Sequence, residues 1–183
     1  MTPARRLASL RQVSLFTAMS LDGFIATKDG GIEWLFHDQD YGYTTFFQSV
    51  DTVLAGRLTF EQSLSLSDDP FEGKRTYVFT RSGRGGALGA VEFIRDDPAK
   101  FTQALKTTEG GKIWLVGGGQ INTLLMSAGL IDEMVISVHP VVLGQGIPLF
   151  NRETGQVSYT LVEQKAFPSG LVQLKYSLPP KTT

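Results

Sequence analysis

The sequence predicts an α/β domain on a largely parallel mixed sheet, with an antiparallel hairpin at its C-terminal end. Three observations carry this. Short apolar runs such as "VSLFTA", "TVLAG" and "IWLV" have the length and composition of strands covered on both faces. Segments with helical spacing separate them, as crossovers between parallel strands require. Near the C-terminus, "YTLVEQKAFPSGLVQLKYSL" reads as two strands about a Pro-Ser-Gly turn.

The elements follow in order. Val13 to Ala18 is the first strand, and "MSLDGFIA" follows it with the turn pair Asp22-Gly23 in its middle. After the exposed loop "TKDGGI", Tyr43, Phe46, Phe47 and Val50 share one face of a helix, with Asp40 just ahead as its N-cap. Thr52 to Gly56 is a strand stopped by glycine. Thr59 and Gln62 have the spacing of a capping box, which predicts a helix from "TFEQ" onward. Thr76 to Thr80 and "VEFI" are strands joined by the basic, glycine-rich "RSGRGGALG". "DDPAKFTQALKTTEGG" is a helix with an Asp cap, Pro98 in its first turn and glycines at its end. "IWLV" leads into three glycines. Ile121, Leu124, Leu125 and Ala128 then keep helical spacing up to Gly129, and "EMVISVHPVVLG" returns as strand.

Bulk properties narrow the function. The chain has 183 residues, 42% of them hydrophobic, with a formal net charge of −1. That length suits one domain, 1–183, with a flexible N-terminus over 1–11. Near-neutral charge argues against nucleic acid or a membrane surface as partner. No run approaches the ~18 apolar residues of a membrane span, and "MTPARRLASLRQ" lacks the apolar core of a secretion signal. The chain has no cysteine and only two histidines, His37 and His139, so neither a disulfide framework nor a metal site is expected. A cytoplasmic location is the expectation.

Two strand-to-helix junctions carry chemistry. In "AGRLTFE", Gly56 permits close backbone approach, Arg57 offers a forked cation, and Thr59 a hydroxyl. The second is Gly117-Gly118-Gly119 opening a helix at Gln120. Bare amides there would cradle a diphosphate, and a tight packing turn is the alternative. The triplet is not the G-x-G-x-x-G fingerprint, so a standard Rossmann domain is disfavoured. After the strand Thr76 to Thr80, Arg81 and Arg84 with Thr80 and Ser82 suit the extra 2′-phosphate of NADPH. A basic loop without a ligand is the alternative for Arg84.

Taken together, "TAMSLDGFIA", "VLAGRLTFE", "YVFTRS", "IWLVGGGQ" and "SAGLIDEMVISVHPVVLGQGIPLF" make the chain resemble the dihydrofolate reductase-like family. That family includes the C-terminal reductase domain of bifunctional riboflavin-biosynthesis proteins (RibD). The resemblance covers Val13 to Tyr176 and implies a three-layer αβα fold, NADPH as hydride donor and a pterin-like or aminopyrimidine substrate. It implies that Ala18 meets the nicotinamide carboxamide and that Ile25 lines the ring pocket. Gly56, Arg57 and Thr59 would hold phosphates, and Thr80 and Arg81 would flank the 2′-phosphate. The triplet, with Gln120 and Ile121, would cradle the diphosphate. A homodimer is expected, with the C-terminal hairpin as a candidate interface.

The substrate side keeps alternatives open. Asp40 matches the family's carboxylate at the start of the first helix, or it is a plain N-cap; Asp22 is a substrate-side carboxylate or half of an Asp-Gly turn. Desolvation in a half-buried pocket would raise such a carboxylate's pKa and make it the proton donor, Asp40 first and Asp22 second. Phe24, Glu33, Trp34 and Phe47 are expected at the substrate pocket, with core packing the alternative for Trp34 and Phe47. His139 is expected to be structural and His37 a surface residue. Phe24 stands where the riboflavin-pathway reductases carry lysine, and a chain without cysteine cannot contain their zinc deaminase half. A stand-alone reductase therefore fits best. 5-Amino-6-(5-phosphoribosylamino)uracil reductase is the rival within the class, and a non-catalytic NADP(H)- or pterin-binding module is the rival outside it.

Overall fold

The computed structural model describes residues 10–82, 86–151 and 155–179, with the side chains of 86–88 left aside. Residues 1–9 and Arg84 lie outside the described residues. In chain order the first half comprises β1 (Val13–Met19), β2 (Phe24–Ala26), α1 (Tyr43–Ser49), β3 (Val50–Gly56), α2 (Arg57–Leu66) and β4 (Arg75–Phe79). The second comprises β5 (Gly86–Leu88), β6 (Val91–Ile94), α3 (Pro98–Lys106), β7 (Lys112–Gly117), α4 (Gly119–Ser127), β8 (Glu133–Val138), β9 (Ile147–Pro148), β10 (Thr160–Ala166) and β11 (Val172–Ser177).

Alternation along the central strands makes three layers. Side chains of a strand point to opposite faces in turn. In β7, Ile113 and Leu115 join one core and Trp114 the other; in β4, Tyr77 and Phe79 oppose Val78; in β3, Leu54 opposes Val53 and Ala55. The first core also holds Leu105 of α3 and Leu125 of α4, and the second holds Phe46 of α1 and Phe60 of α2. The sheet is therefore covered by α3 and α4 on one face and by α1 and α2 on the other.

The main sheet has nine strands in the order β10-β11-β8-β1-β7-β3-β4-β6-β5, and β2 pairs with β9 in a separate small sheet. From β8 through β6 the neighbours are parallel, whereas β11 and β10 add antiparallel strands at one edge and β5 one at the other. The connection through α2 runs from β3 outward to β4, while α4 carries β7 back past β1 to β8 on the opposite face. The strand order thus reverses at β3 and β7, the position where open α/β sheets bind ligands beyond their carboxyl ends.

Local chemistry moves several boundaries. α2 begins at Arg57 with Gly56 as its N-cap, ahead of the expected "TFEQ", and Gln62 instead donates its amide to the Gly30 carbonyl. The first helix has Gly42 (φ 83) at its N-cap, not Asp40; the Asp40 carboxylate still reaches the first turn and accepts from the Thr44 N–H at 3.0 Å. β8 stops at Val138 because Pro140 has no N–H to donate to a ladder. α3 is as expected: Asp97 accepts from the Lys100 N–H at 2.9 Å, with Pro98 as its first residue. At the N-terminal end, Arg11 is not part of a flexible arm. It is 7% exposed, donates to the Gly111 carbonyl at 2.8 Å and pairs with Asp51.

The buried Glu133 at the start of β8 accepts from Ser14 (2.9 Å) and pairs with Lys112 (2.9 Å) and Lys175 (3.0 Å). Burial works to raise its pKa, but these hydrogen bonds and charges outweigh it and hold the carboxyl below its usual range. Its contribution to stability is therefore present above the ordinary glutamate value of about 4.3 and is lost as pH falls through the lower folded value. We expect the fall of Tm between about pH 5 and pH 3 to be shallower in Glu133→Gln than in the parent. Parallel curves for the two chains would refute the role given to this cluster.

Candidate active-site cleft

Two cavities lie beyond the carboxyl ends of the parallel strands, of about 840 Å³ and 910 Å³. They share Leu58, Thr59, Gly118 and Ile147 as walls. The smaller is rich in arginine and the larger in aromatic rings.

The arginine cavity is built on helix starts. α2 and α4 both open onto it, and their N-caps, Gly56 and Gly118, make no side-chain cap hydrogen bond. Their first-turn N–H groups, with the positive end of each helix dipole, make two donor sets for an anion. Arg57, Arg81 and Arg95 line the same cavity with Thr80, Ser82, Gln120 and Ile121. Among the described residues Arg57 is held only by an exposed pair with Glu61 (2.8 Å), a contact of about 0.3–0.5 kcal/mol that an anion can displace. Arg81 donates to the Gln120 side chain at 3.2 Å, which ties the end of β4 to the start of α4. The Thr80 hydroxyl donates to the Ser82 carbonyl (2.6 Å) and shapes the loop rather than pointing away from it.

Each glycine of the triplet answers a different constraint. Gly117 has φ +114 and is buried against Asn122, where a Cβ would lie 3.1 Å from the amide oxygen; it is not among the cavity's walls. A Cβ on Gly118 would sit 3.0 Å from the Thr59 hydroxyl, and one on Gly119 would run into the Pro148 carbonyl. Gly118 and Gly119 do line the cavity. The triplet is thus both packing turn and cradle.

Phe16, Tyr43 and Trp114 form one wall of the aromatic cavity, with centroids 6.2 Å (Phe16–Tyr43) and 5.9 Å (Tyr43–Trp114) apart. Ala18, Ile25 and Leu171 line it as well, and Phe36 packs on His139 at 4.9 Å. His139 is buried; its Nε2 accepts from the Phe36 N–H (3.1 Å), which leaves Nδ1 to donate to the Ser137 carbonyl (3.2 Å). Burial pushes its pKa down, so it is a neutral structural ring that fixes the loop over the cavity.

Asp40 lies at the mouth, exposed, and its Oδ1 accepts from both the Thr44 N–H and hydroxyl (2.7 Å). These bonds hold its carboxyl below the usual range, so the desolvated, raised acid expected from the sequence is not found. Asp22 lies outside both cavities. It accepts from the Ser20 hydroxyl (2.6 Å) and from the Leu143 (3.1 Å) and Gly144 (2.7 Å) N–H groups, and the Ser20 bond first among these lowers its pKa. It clamps a turn. Of the expected substrate-side residues, Phe24, Glu33, Trp34 and Phe47 are not walls of the cavity. Phe24 belongs to the small sheet, Glu33 is exposed, Trp34 packs edge-on to His139 at 5.3 Å, and Phe47 lies behind Trp114 under the Lys74 ammonium. His37 is exposed at the mouth.

Sequence reasoning missed Arg95, Tyr41, Tyr43 and Trp114 as walls. Arg95 follows a strand end as Arg81 does, and that parallel was the available signal. Tyr41 is the only non-glycine with positive φ among the described residues (φ 52), which no periodicity reveals.

The model of the RibD C-terminal domain family matches residues 11–173. The protein YwjB of Bacillus subtilis is 42% identical over 170 residues, which cover 91% of this chain and 97% of that one. A Shewanella sp. PV-4 protein, provisionally assigned to riboflavin biosynthesis, has a crystal structure that superposes with a TM-score of 0.81 at 27% identity, covering 92% of this chain and 99% of the other. Enterococcus faecalis dihydrofolate reductase, solved with NADP(H), superposes at 0.67 with 17% identity over 91% and 95% of the two chains, a likeness of fold. No helix among the described residues is long and apolar enough to cross a membrane.

Because a Cβ there would run into the Pro148 carbonyl, Gly119→Ala lowers unfolding free energy by about 1–3 kcal/mol. Gly155→Ala, where a Cβ meets nothing within 4 Å, stays within about 0.5 kcal/mol. Urea denaturation of the two variants checks both, and equal midpoints would disprove the steric account.

Proposed function

The chain belongs to the RibD C-terminal domain family, and from that premise we propose that it is an NADPH-dependent reductase acting on a pterin-like or aminopyrimidine heterocycle. Family membership and the reductase neighbours support an oxidoreductase. One observation carries the cofactor reading: two helix starts without side-chain caps and three arginines line a single cavity. The residues fit such a group, because Gly118 and Gly119 leave bare backbone where a side chain has no room.

In this reading the α2 and α4 amides and Arg57 bind the diphosphate. Arg81, Ser82 and Arg95 bind the 2′-phosphate. When bound, the cofactor supplies the hydride. Thr59 and Gly118, shared by both cavities, border its reactive end, while Ala18 and Ile25 wall the side facing the substrate. The aromatic wall excludes water and orients a flat ring. Asp40, kept ionised by Thr44, orients the heterocycle and does not store the proton; that proton enters from water at the mouth.

Calorimetric titration with NADPH and NADH tests the reading. NADPH is expected to bind at least about tenfold more tightly than NADH, and Arg57→Ala to weaken NADPH by about tenfold or more, the value of one charge-assisted contact. Binding of neither nucleotide would remove it.

A further inference from the structure

A phosphate group in a protein site is held by arginine or lysine, or by helix N–H groups with no other partner. In this cleft the arginines are all on one side. Arg57, Arg81 and Arg95 line the arginine cavity, and the two helices that open there have ten and nine residues with no side-chain cap. The aromatic cavity has no arginine among its described walls. Its charged walls are Lys28, Asp29, His37 and Asp40, all exposed at the mouth, and Lys28 is followed directly by the carboxylate of Asp29. Of the helix starts beside this cavity, α2 is shared with the arginine cavity through Leu58 and Thr59, and α1 has its Thr44 N–H taken by the Asp40 carboxylate at 3.0 Å. A phosphate entering here would meet the carboxylates of Asp29 and Asp40 with Lys28 as the one cation among the described walls, beyond a wall made of the Phe16, Tyr43 and Trp114 rings.

We infer that the aromatic cavity takes a flat heterocycle that carries no phosphate, and that phosphate-bearing groups are confined to the arginine cavity. The inference rests on the reductase reading of the cleft and names the substrate class within it. A phosphoribosyl-aminopyrimidine, the rival considered from the sequence, falls outside that class.

Riboflavin and its 5′-phosphate, FMN, share one tricyclic ring and differ only in the phosphate, so they serve as the probe pair. Trp114 lines the cavity and Trp34 does not, so a Trp34→Phe chain carries a single reporter. The titrations are run without nicotinamide nucleotide and with Arg57→Ala, Arg81→Ala and Arg95→Ala added, so that FMN held by those arginines does not register. Riboflavin is expected to quench Trp114 and to bind about tenfold or more tightly than FMN. Asp40→Asn keeps an acceptor for the Thr44 N–H, and with it the gap is expected to close to about threefold or less. FMN binding as tightly as riboflavin, or no quenching by either flavin, overturns the inference. Should Trp34→Phe fail to fold, the flavins' own fluorescence with the Trp34 chain gives the same ratio. Loss of the reductase reading shows elsewhere, in the calorimetry of NADPH with Arg57→Ala, and does not alter the ratio of the two flavins.

Discussion

The cleft depends on one close approach, that of the β3–α2 junction to the β7–α4 junction. β3 and β7 pair in parallel with Leu54 opposite Leu115, and a register shift then brings Ala55 opposite Gly117. The two chains turn into helices side by side. A Cβ on Gly56 would lie 3.3 Å from the Ile121 side chain, 3.6 Å from the Gly117 carbonyl oxygen and 3.8 Å from the Gly118 nitrogen. Side-chain-free residues at both turns let two helix N-termini open onto the same space. Without that approach the two donor sets would serve separate surfaces, and no single diphosphate-sized group could use both.

Capping divides the four helices of the described residues by what lies at their starts. α1 and α3 have carboxylates on their first-turn amides, Asp40 and Asp97, while α2 and α4 have glycine caps with no side-chain bond. A carboxylate cap is worth on the order of 1 kcal/mol to a helix. Leaving α2 and α4 without one is a local sacrifice of stability at the two starts that line the arginine cavity. Asp97 also lines that cavity, so its negative charge sits near the arginines; its acceptor role on the Lys100 amide at 2.9 Å ties it to α3. Asp40 sets a negative charge at the mouth of the other cavity. The α2 and α4 starts are thus open to an anion, while the α1 start is closed by Asp40.

The central strands and both glycine junctions were legible in the sequence, because burial on both faces and bare backbone leave marks in composition, whereas the layer count came with the family resemblance. The start of α2 was not. Gly56 caps through its extended backbone alone, and Gln62, which completes a capping-box pattern on paper, is drawn away to the Gly30 carbonyl. The end of β8 was masked by apolar residues continuing past Pro140, which lie in a loop clamped by Asp22. The aromatic walls were hidden for a different reason. Phe46 and Phe47 are adjacent on α1, yet Phe46 is core and Phe47 lies behind Trp114, while Tyr43, one turn earlier, reaches the cavity. Helical periodicity identifies the buried face and says nothing of which end of that face borders a cleft.

Tyr41 shows how the far end of the chain enters the site. A tyrosine at φ 52 is strained, and such residues persist only where the surroundings over-determine them. Here the constraints come from the C-terminal hairpin. Ser169 lies 2.8 Å from the Tyr41 hydroxyl, which also donates to Asp38 at 2.5 Å; Gln173 of β11 donates to the Tyr41 carbonyl at 3.0 Å; and the Phe167 ring packs edge-on at 4.8 Å. The strained residue lies between Asp40 and Gly42, so its conformation sets the direction from which Asp40 reaches Thr44 and from which Tyr43 enters the aromatic wall. Leu171, fully buried in the same hairpin, is itself part of that wall. The antiparallel hairpin added at the sheet edge is therefore a structural part of the aromatic cavity, and the geometry at its mouth depends on residues more than a hundred positions away in sequence.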